Sequence, residues 1–169
     1  MNKMIHMTCY IVLCLTAILM PVKATAQSDD DKKFLAMAAQ SDQNEIALSK
    51  VAVQKATDPA VKAFAEKMIA EHTKMTQGMK PFAESWGLTP PSGPDEDAQK
   101  ELDKLDKLSG KDFDKEYIDI MVSDHSKALS AFTKEAKDTK DTKFRAVVIQ
   151  DKTAVAAHKN MAYDLKKKL

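Results

Sequence analysis

The sequence predicts an all-α protein whose main body is a four-helix bundle. Apolar residues recur at spacings of three and four throughout, and the alternation of period two that marks strands is absent. The chain has few glycines, and its prolines cluster in the segment GLTPPSGP at 87–94. Four stretches of about 27 residues share the helical period, and each would span about 40 Å.

The first 26 residues predict a secretory signal peptide and are set apart from the fold. Lys3 supplies a positive charge, MTCYIVLCLTAILM is apolar, and Ala24-Thr25-Ala26 is a small-residue cleavage signal. The apolar run has about fifteen residues, fewer than the roughly twenty that a membrane-spanning helix needs. An uncleaved anchor is the alternative. We therefore expect an exported protein of a bacterial periplasm or cell envelope, with residues 27–169 as its single mature domain.

The composition of the mature chain excludes several classes of protein. Cys9 and Cys14 both lie in the predicted signal, so neither a disulfide nor a thiolate ligand is available afterwards. Without Lys3 and Lys23, 24 basic residues face 25 acidic ones, and the two signs are interspersed. This balance gives no indication of a nucleic-acid partner or an anionic-membrane surface. A protein or envelope partner and the oligomeric state are left open.

Helix boundaries follow from turn and capping signals. The predicted helices cover 30–56, 59–86, 98–108, 111–137 and 141–167. Asp58 offers an N-cap with Pro59 at the first helical position. Pro81 predicts a kink in the last turns of the second helix. Ser109-Gly110 ends the short third helix, and the lysines at 166–168 suit a helix C-terminus.

The connector at 87–110 distinguishes two topologies. Tight turns join the first two long helices and the last two, whereas this connector is far longer than antiparallel neighbours need. With about eleven helical residues it reaches back along a whole helix. The sequence thus favours two helical hairpins joined by a crossover that contains a short helix, the ferritin-like arrangement of a four-helix bundle. An up-down-up-down bundle with a decorated loop is the alternative.

Ionisable residues interrupt the apolar stripe of every long helix near its middle. The mature chain has three histidines, and each falls in a stripe on a different helix. Helix 1 contributes Glu45, helix 2 His72, helix 4 His125 and helix 5 both Asp151 and His158. Glu45 and His72 both lie about 20 Å from the first turn, and His125 and His158 differ in height by about one helical turn. If the hairpins align centre to centre, one glutamate and three histidines meet on the bundle axis.

Such a group has two chemical interpretations. Glu45, His72, His125 and His158 would bind a transition metal such as zinc, copper or iron, and would not favour calcium or magnesium. Alternatively, they satisfy one another as a metal-free polar network. Met68, Met75 and Met79 share a helical face with His72, a combination that suits Cu(I) but is also ordinary core packing.

Three further acidic residues lie near these stripes. Asp151 is two turns from His158 and is expected to be solvent-exposed or to support a ligand indirectly. Glu71 and Asp124 point about 100° away from the stripes. They are interpreted as surface charges, with the orientation of a neighbouring imidazole as the other option.

Three segments carry a family resemblance: VKAFAEKMIAEHTKM, SGKDFDKEYIDIMVSDHSKAL and AAHKNMA. They resemble the secreted bacterial proteins of domain of unknown function 4142, which are grouped with ferritin-like folds. The resemblance covers nearly all of the mature chain and implies an exported bundle. The family has no established activity, so the resemblance assigns no catalytic residue.

The chain departs from the di-iron pattern of ferritin-like enzymes. That pattern needs Glu-x-x-His on two helices, but Ile69, Val122 and Val155 stand three residues before the histidines. No nucleophile–base pair, phosphate loop or cofactor fingerprint is visible either, so catalysis is left open. Two hypotheses follow: an exported bundle with a mononuclear metal centre, or a non-catalytic envelope or stress-interaction protein whose polar core fixes helix register.

Overall fold

The computed structural model describes residues 28–169, and this part of the chain is helical without strands. Its helices are α1 (Asp29–Lys55), α2 (Pro59–Ser85), α3 (Glu96–Asp106), α4 (Gly110–Asp138) and α5 (Thr142–Lys166). Each boundary lies within two residues of its predicted position. The signal peptide at 1–26 lies outside the described residues and stays a prediction. Among the helices that are described, none has the length and apolarity to cross a membrane.

Side-chain caps explain where most of these helices begin. The side chains of Ser28, Asp58, Asp95 and Asp141 each accept a hydrogen bond from a backbone N–H in the first turn of the helix that follows. These bonds satisfy N–H groups that have no partner within the helix. Helix α2 continues through Pro81 to Ser85.

The connector between α2 and α4 crosses the whole bundle alongside α1. Near its start the side chain of Gln40 donates to the carbonyl of Gly93 (2.9 Å), and near its end Lys55 donates to that of Leu105 (3.2 Å). Helix α4 therefore begins beside the α1–α2 turn and runs parallel to α2. Helices α1 and α4 are neighbours, as are α2 and α5. The predicted ferritin-like bundle of two hairpins with a crossover is confirmed.

Two apolar layers fill the bundle, one towards each end. The lower layer, at the α1–α2 turn, includes Leu48, Ala52, Val61, Phe64, Met68, Phe113, Tyr117, Ile118 and Met121. The upper layer, at the α4–α5 turn, includes Phe34, Leu35, Met75, Met79, Phe132, Phe144, Val148 and Val155. The sequence positions between these layers, such as 72 between Met68 and Met75, form the middle of the bundle. Glu45, His72, His125 and His158 occupy this middle level.

Asp114 ties the two hairpins together at the lower end. Its carboxylate is 1% exposed and accepts hydrogen bonds from the Thr57 N–H (3.0 Å), the Thr57 hydroxyl (2.6 Å) and the Asp58 N–H (2.9 Å). One side chain of α4 thereby satisfies the backbone of the α1–α2 turn. Ser49 and Tyr117 add a buried hydrogen bond of 2.9 Å between α1 and α4. These contacts fix the height of one hairpin against the other.

Asp114→Ala should lower the free energy of unfolding by about 2–3 kcal/mol, because the donors of Thr57 and Asp58 lose a charged acceptor. Urea unfolding monitored by circular dichroism measures the change. Asp112→Ala removes an exposed carboxylate from the same turn and serves as the matched control, with an expected cost below about 1 kcal/mol. Equal losses in the two variants would show that this hydrogen-bond cluster does not hold the hairpins together.

Candidate metal centre

Three imidazoles from three helices meet in the middle of the bundle. His72 of α2, His125 of α4 and His158 of α5 are each at most 3% exposed. Their ring centroids are 5.3–5.5 Å apart, and one potential ligand atom from each lies within 4.8 Å of the others. The sequence suggests that His125 and His158 differ in height by one turn, but the fold brings their ring centroids to 5.3 Å from each other. The centre belongs to both hairpins, since α2 lies in one and α4 and α5 in the other.

The protonation state of His125 follows from its hydrogen bond. Its Nδ1 lies 2.8 Å from the carbonyl oxygen of Met121, one turn earlier in α4. A carbonyl can only accept, so Nδ1 carries the hydrogen and the lone pair is on Nε2. Burial, followed by the neighbouring His72 and His158, lowers the pKa of His125 to about 3. His125 is therefore a neutral imidazole with a free Nε2.

Carboxylates hold the other two rings. Nδ1 of His72 lies 2.9 Å from Asp42 Oδ1, and the other oxygen of Asp42 accepts from the Thr76 hydroxyl (3.0 Å). Burial lowers the pKa of His72, but the hydrogen bond to Asp42 and the neighbouring carboxyl groups outweigh it, so the net shift is upward. Nε2 of His158 is hydrogen-bonded to Glu71. There burial prevails over Glu71, and the pKa of His158 is lowered.

The remaining nitrogen of each ring is left for a ligand. His72 Nε2, His125 Nε2 and His158 Nδ1 are buried and have no hydrogen-bond partner within residues 28–169. Histidines that ligate metals usually donate their second N–H to a carboxylate or a backbone carbonyl, which fixes the ring and its tautomer. All three rings show this arrangement. The residues present thus fit a metal ion held by three imidazole nitrogens.

Glu45, the fourth predicted ligand, lies beside this group rather than within it. It is 3% exposed, its Oε1 is 3.5 Å from His125 Nδ1, and its Oε2 has no hydrogen-bond partner in the described chain. Burial raises the pKa of Glu45 to about 8, with the positive charge of His72 acting against the shift. The metal-free protein therefore keeps Glu45 protonated at neutral pH. Its role as a ligand stays a prediction.

Three acidic residues have contacts or burial that the sequence alone did not establish. Asp42 is the group that reasoning from the sequence missed. Either Ser41 or Asp42 fits the spacing of three and four that runs through Glu45, and Asp42 is the buried one. Glu71 has a side chain 36% exposed and contacts His158, so the orienting role is the one that the structure shows. Asp151 is 3% exposed rather than solvent-exposed, and burial raises its pKa to about 7.

Fold and centre together define a ferritin-like bundle with an imidazole-rich middle in place of the carboxylate-rich di-iron arrangement. The chain belongs to the family described as Domain of unknown function (DUF4142), whose sequence profile matches residues 19–165. No curated protein matches the sequence.

Solved structures share the fold at low sequence identity. A DUF305 fragment from Deinococcus radiodurans superposes with a TM-score of 0.74 at 11% identity, over 85% of this chain and 99% of that one. CopM in the Cu(I)-bound form gives 0.69 at 22% identity, over 82% and 96%. CopM in the Cu(II)-bound form gives 0.68 at 21% identity, over 84% and 98%. These likenesses establish the bundle and leave the chemistry to the residues of this chain.

Glu45→Gln should change how the stability of the metal-free protein depends on pH. Folding raises the pKa of Glu45 from 4.5 to about 8, so the folded protein holds the Glu45 proton more tightly than the unfolded chain does. The resulting stabilisation is complete below pH 4.5 and is lost as the pH rises to about 8. Glutamine has no proton to lose. The stability of the variant relative to the wild type should rise by on the order of 5 kcal/mol across this window.

Urea unfolding at a series of pH values, with chelator present, measures that difference. Asp151→Asn is the companion variant, and its difference should develop between pH 3.8 and about 7. Parallel pH curves for Glu45→Gln and the wild type would mean that Glu45 ionises normally in the folded state.

His125 should remain a neutral Nδ1–H tautomer between about pH 5 and pH 8, where an ordinary histidine changes its charge. Burial and the hydrogen bond to the Met121 carbonyl impose this state. Two-dimensional ¹H–¹⁵N spectra of the metal-free protein distinguish the two ring nitrogens directly. Titration of His125 with a midpoint near 6.5 would contradict the assignment.

Proposed function

We propose that this protein is an exported copper-binding protein that holds one Cu(I) ion at His72, His125 and His158. The observation that carries the proposal is a group of three buried imidazoles. Each keeps one nitrogen without a partner, and each places a potential ligand atom within 4.8 Å of the others. Each imidazole is already oriented through its other nitrogen, so binding requires no rearrangement of the carboxylates or the carbonyl behind it.

A bound metal accounts for the missing partners of these nitrogens better than a purely structural polar network does. In such a network the rings would hydrogen-bond to one another or to Glu45, whereas here each ring directs only one nitrogen to a partner. A buried polar atom without a partner costs about 1–3 kcal/mol. One ion would satisfy all three nitrogens at once. Since His125 and His158 have lowered pKa values, little proton competition opposes binding there.

The ligand chemistry favours copper over the other candidates. Imidazole nitrogens suit zinc, copper and iron, and calcium and magnesium require oxygen ligands. Three imidazoles also match zinc sites that keep an open fourth position, so the preference for copper comes from the sulfur atoms nearby. Met68 and Met75 lie one turn either side of His72 and are buried, so soft thioethers border the centre. CopM, which shares the fold, has been solved with Cu(I), Cu(II) and silver.

Export is part of the proposal. It is supported by the predicted signal at 1–26 and by a DUF305 protein of the same fold from Streptomyces coelicolor that is described as secreted. A cysteine-free copper site suits an oxidising compartment, because it contains no thiol that the metal could oxidise.

Protein purified without an affinity tag should bind one Cu(I) per chain in competition with a colorimetric Cu(I) chelator. His72→Ala and His125→Ala should each weaken binding by more than about 100-fold, and Asp42→Asn, which alters the carboxylate behind His72, by about tenfold or more. Thr73→Ala, next to His72 but exposed, is the matched control and should bind as the wild type does.

Two results would contradict the proposal. Tighter binding of zinc than of Cu(I) at these histidines would make copper the wrong metal. A folded wild-type protein that takes up neither ion would leave the metal-free polar network as the function of the histidines.

A further inference from the structure

A groove between α1, α3 and α4 leads from the surface to the histidine level. It has a volume of about 400 Å³, which admits a hydrated ion because a water molecule occupies about 30 Å³ in the liquid. Its ionisable lining consists of Glu45, Asp95, Asp97, Glu101, Asp124 and Lys127. We call it the acidic groove, since carboxyl groups outnumber amines in its lining by five to one.

Glu45 connects the acidic groove with the imidazoles. It lines the groove, yet it is 3% exposed and its Oε2 has no hydrogen-bond partner in the described structure. Its other oxygen lies 3.5 Å from His125 Nδ1. An unpartnered buried carboxyl at the inner end of a groove is the ligand that an incoming cation would meet after the surface carboxylates and before the nitrogens.

The acidic residues nearer the surface also lack full compensation. Burial, followed by the charge of Asp124, raises the pKa of Glu101 to about 7. Lys127 pairs with Asp124 at 2.8 Å and Lys100 with Asp97 at 2.7 Å, but both lysines are 73% exposed and such pairs contribute little. Asp95 is occupied as the N-cap of α3 and by Asn44. The side chain of Asp97 is 90% exposed to solvent, whereas that of Asp124 is 25% exposed and acts on Glu101, so Glu101 and Asp124 are the carboxyl groups that a cation would neutralise.

A second groove, between α2 and α5, reaches the same level from the opposite side. It has a volume of about 490 Å³, and its ionisable lining is Glu71, Lys74 and Asp151. Glu71 is bonded to both His158 and Lys67. This groove therefore offers one carboxyl that no base engages, Asp151, against the several of the acidic groove.

We infer that the acidic groove is the route by which a metal cation reaches the histidine centre. Glu101 and Asp124 attract the ion at the surface, and Glu45 lies between these carboxyl groups and the imidazoles. The inference rests on the proposed function, because it supplies the path to that centre. A cleft lined by one sign of charge raises the association rate of an oppositely charged ligand by about tenfold or more at low salt, while leaving equilibrium binding to the inner ligands largely unchanged.

The test separates the rate of metal uptake from its equilibrium. The probe is Ag⁺, a soft monovalent ion without redox chemistry of its own. Metal-free protein is mixed rapidly with Ag⁺ at low salt, uptake is stopped with excess chelator, and the metal retained per chain is counted after desalting. The Glu101→Gln/Asp124→Asn double variant should load about tenfold more slowly than the wild type, with an equilibrium affinity within about twofold. Raising the salt concentration should slow the wild type more than the variant.

Two controls identify the path. At pH 8, above the pKa of Glu101, Glu84→Gln/Asp112→Asn removes the same number of negative charges from exposed positions outside both grooves, and should load at the wild-type rate. Asp151→Asn tests the groove between α2 and α5, and should also load at the wild-type rate.

The inference is overturned if the acidic-groove variant loads as fast as the wild type, or if Asp151→Asn is the slow one. It is likewise overturned if both double variants slow equally, because net charge would then account for the effect. A wild type that retains no Ag⁺ at equilibrium removes the proposed function itself. That result differs from normal retention with an unchanged rate, which removes the route alone.

Discussion

The structure depends on burying three imidazoles in the middle of a helical bundle. At this level the four long helices bring polar side chains together, while the layers above and below are apolar. Buried polar groups require partners, and each ring obtains one from Asp42, Glu71 or the Met121 carbonyl. The second nitrogen of each ring obtains none. Every ring is therefore held in place by one nitrogen, while its other nitrogen has no hydrogen bond and could bind a metal.

The crossover makes this level possible, because the imidazoles come from both hairpins. Tight turns align α1 with α2 and α4 with α5, but the height of one hairpin against the other depends on contacts between the hairpins. The connector lies along α1, and Asp114 satisfies the α1–α2 turn from the first residues of α4. A shift of one helical turn would displace the rings by about 5 Å and separate His125 from His72. Contacts at the lower end of the bundle thus determine the geometry of its centre.

The sequence predicted the helices and the histidine stripe because both depend on periodicity, which is local information. Asp58, Pro59 and Gly110 marked boundaries to within two residues. The supporting groups were harder to find. Asp42 and Ser41 are adjacent, and either fits a three-four stripe, so only the packing of α1 against α2 selects Asp42. Asp114 looks like any other charge at a helix start, and its partners lie 56 and 57 residues away.

An ion at this centre would join the two hairpins as well as fill a site. His72 belongs to the first hairpin, and His125 and His158 belong to the second. An ion bound to all three imidazoles would therefore bridge the interface between the hairpins. An ion bound to the folded protein and not to the unfolded chain adds stability in proportion to the logarithm of its concentration over its dissociation constant. Release, however, would require the bonds from three imidazoles to break at a level where the rings are at most 3% exposed, before the ion could return through the acidic groove. A centre with these properties suits retention of the metal more than rapid exchange.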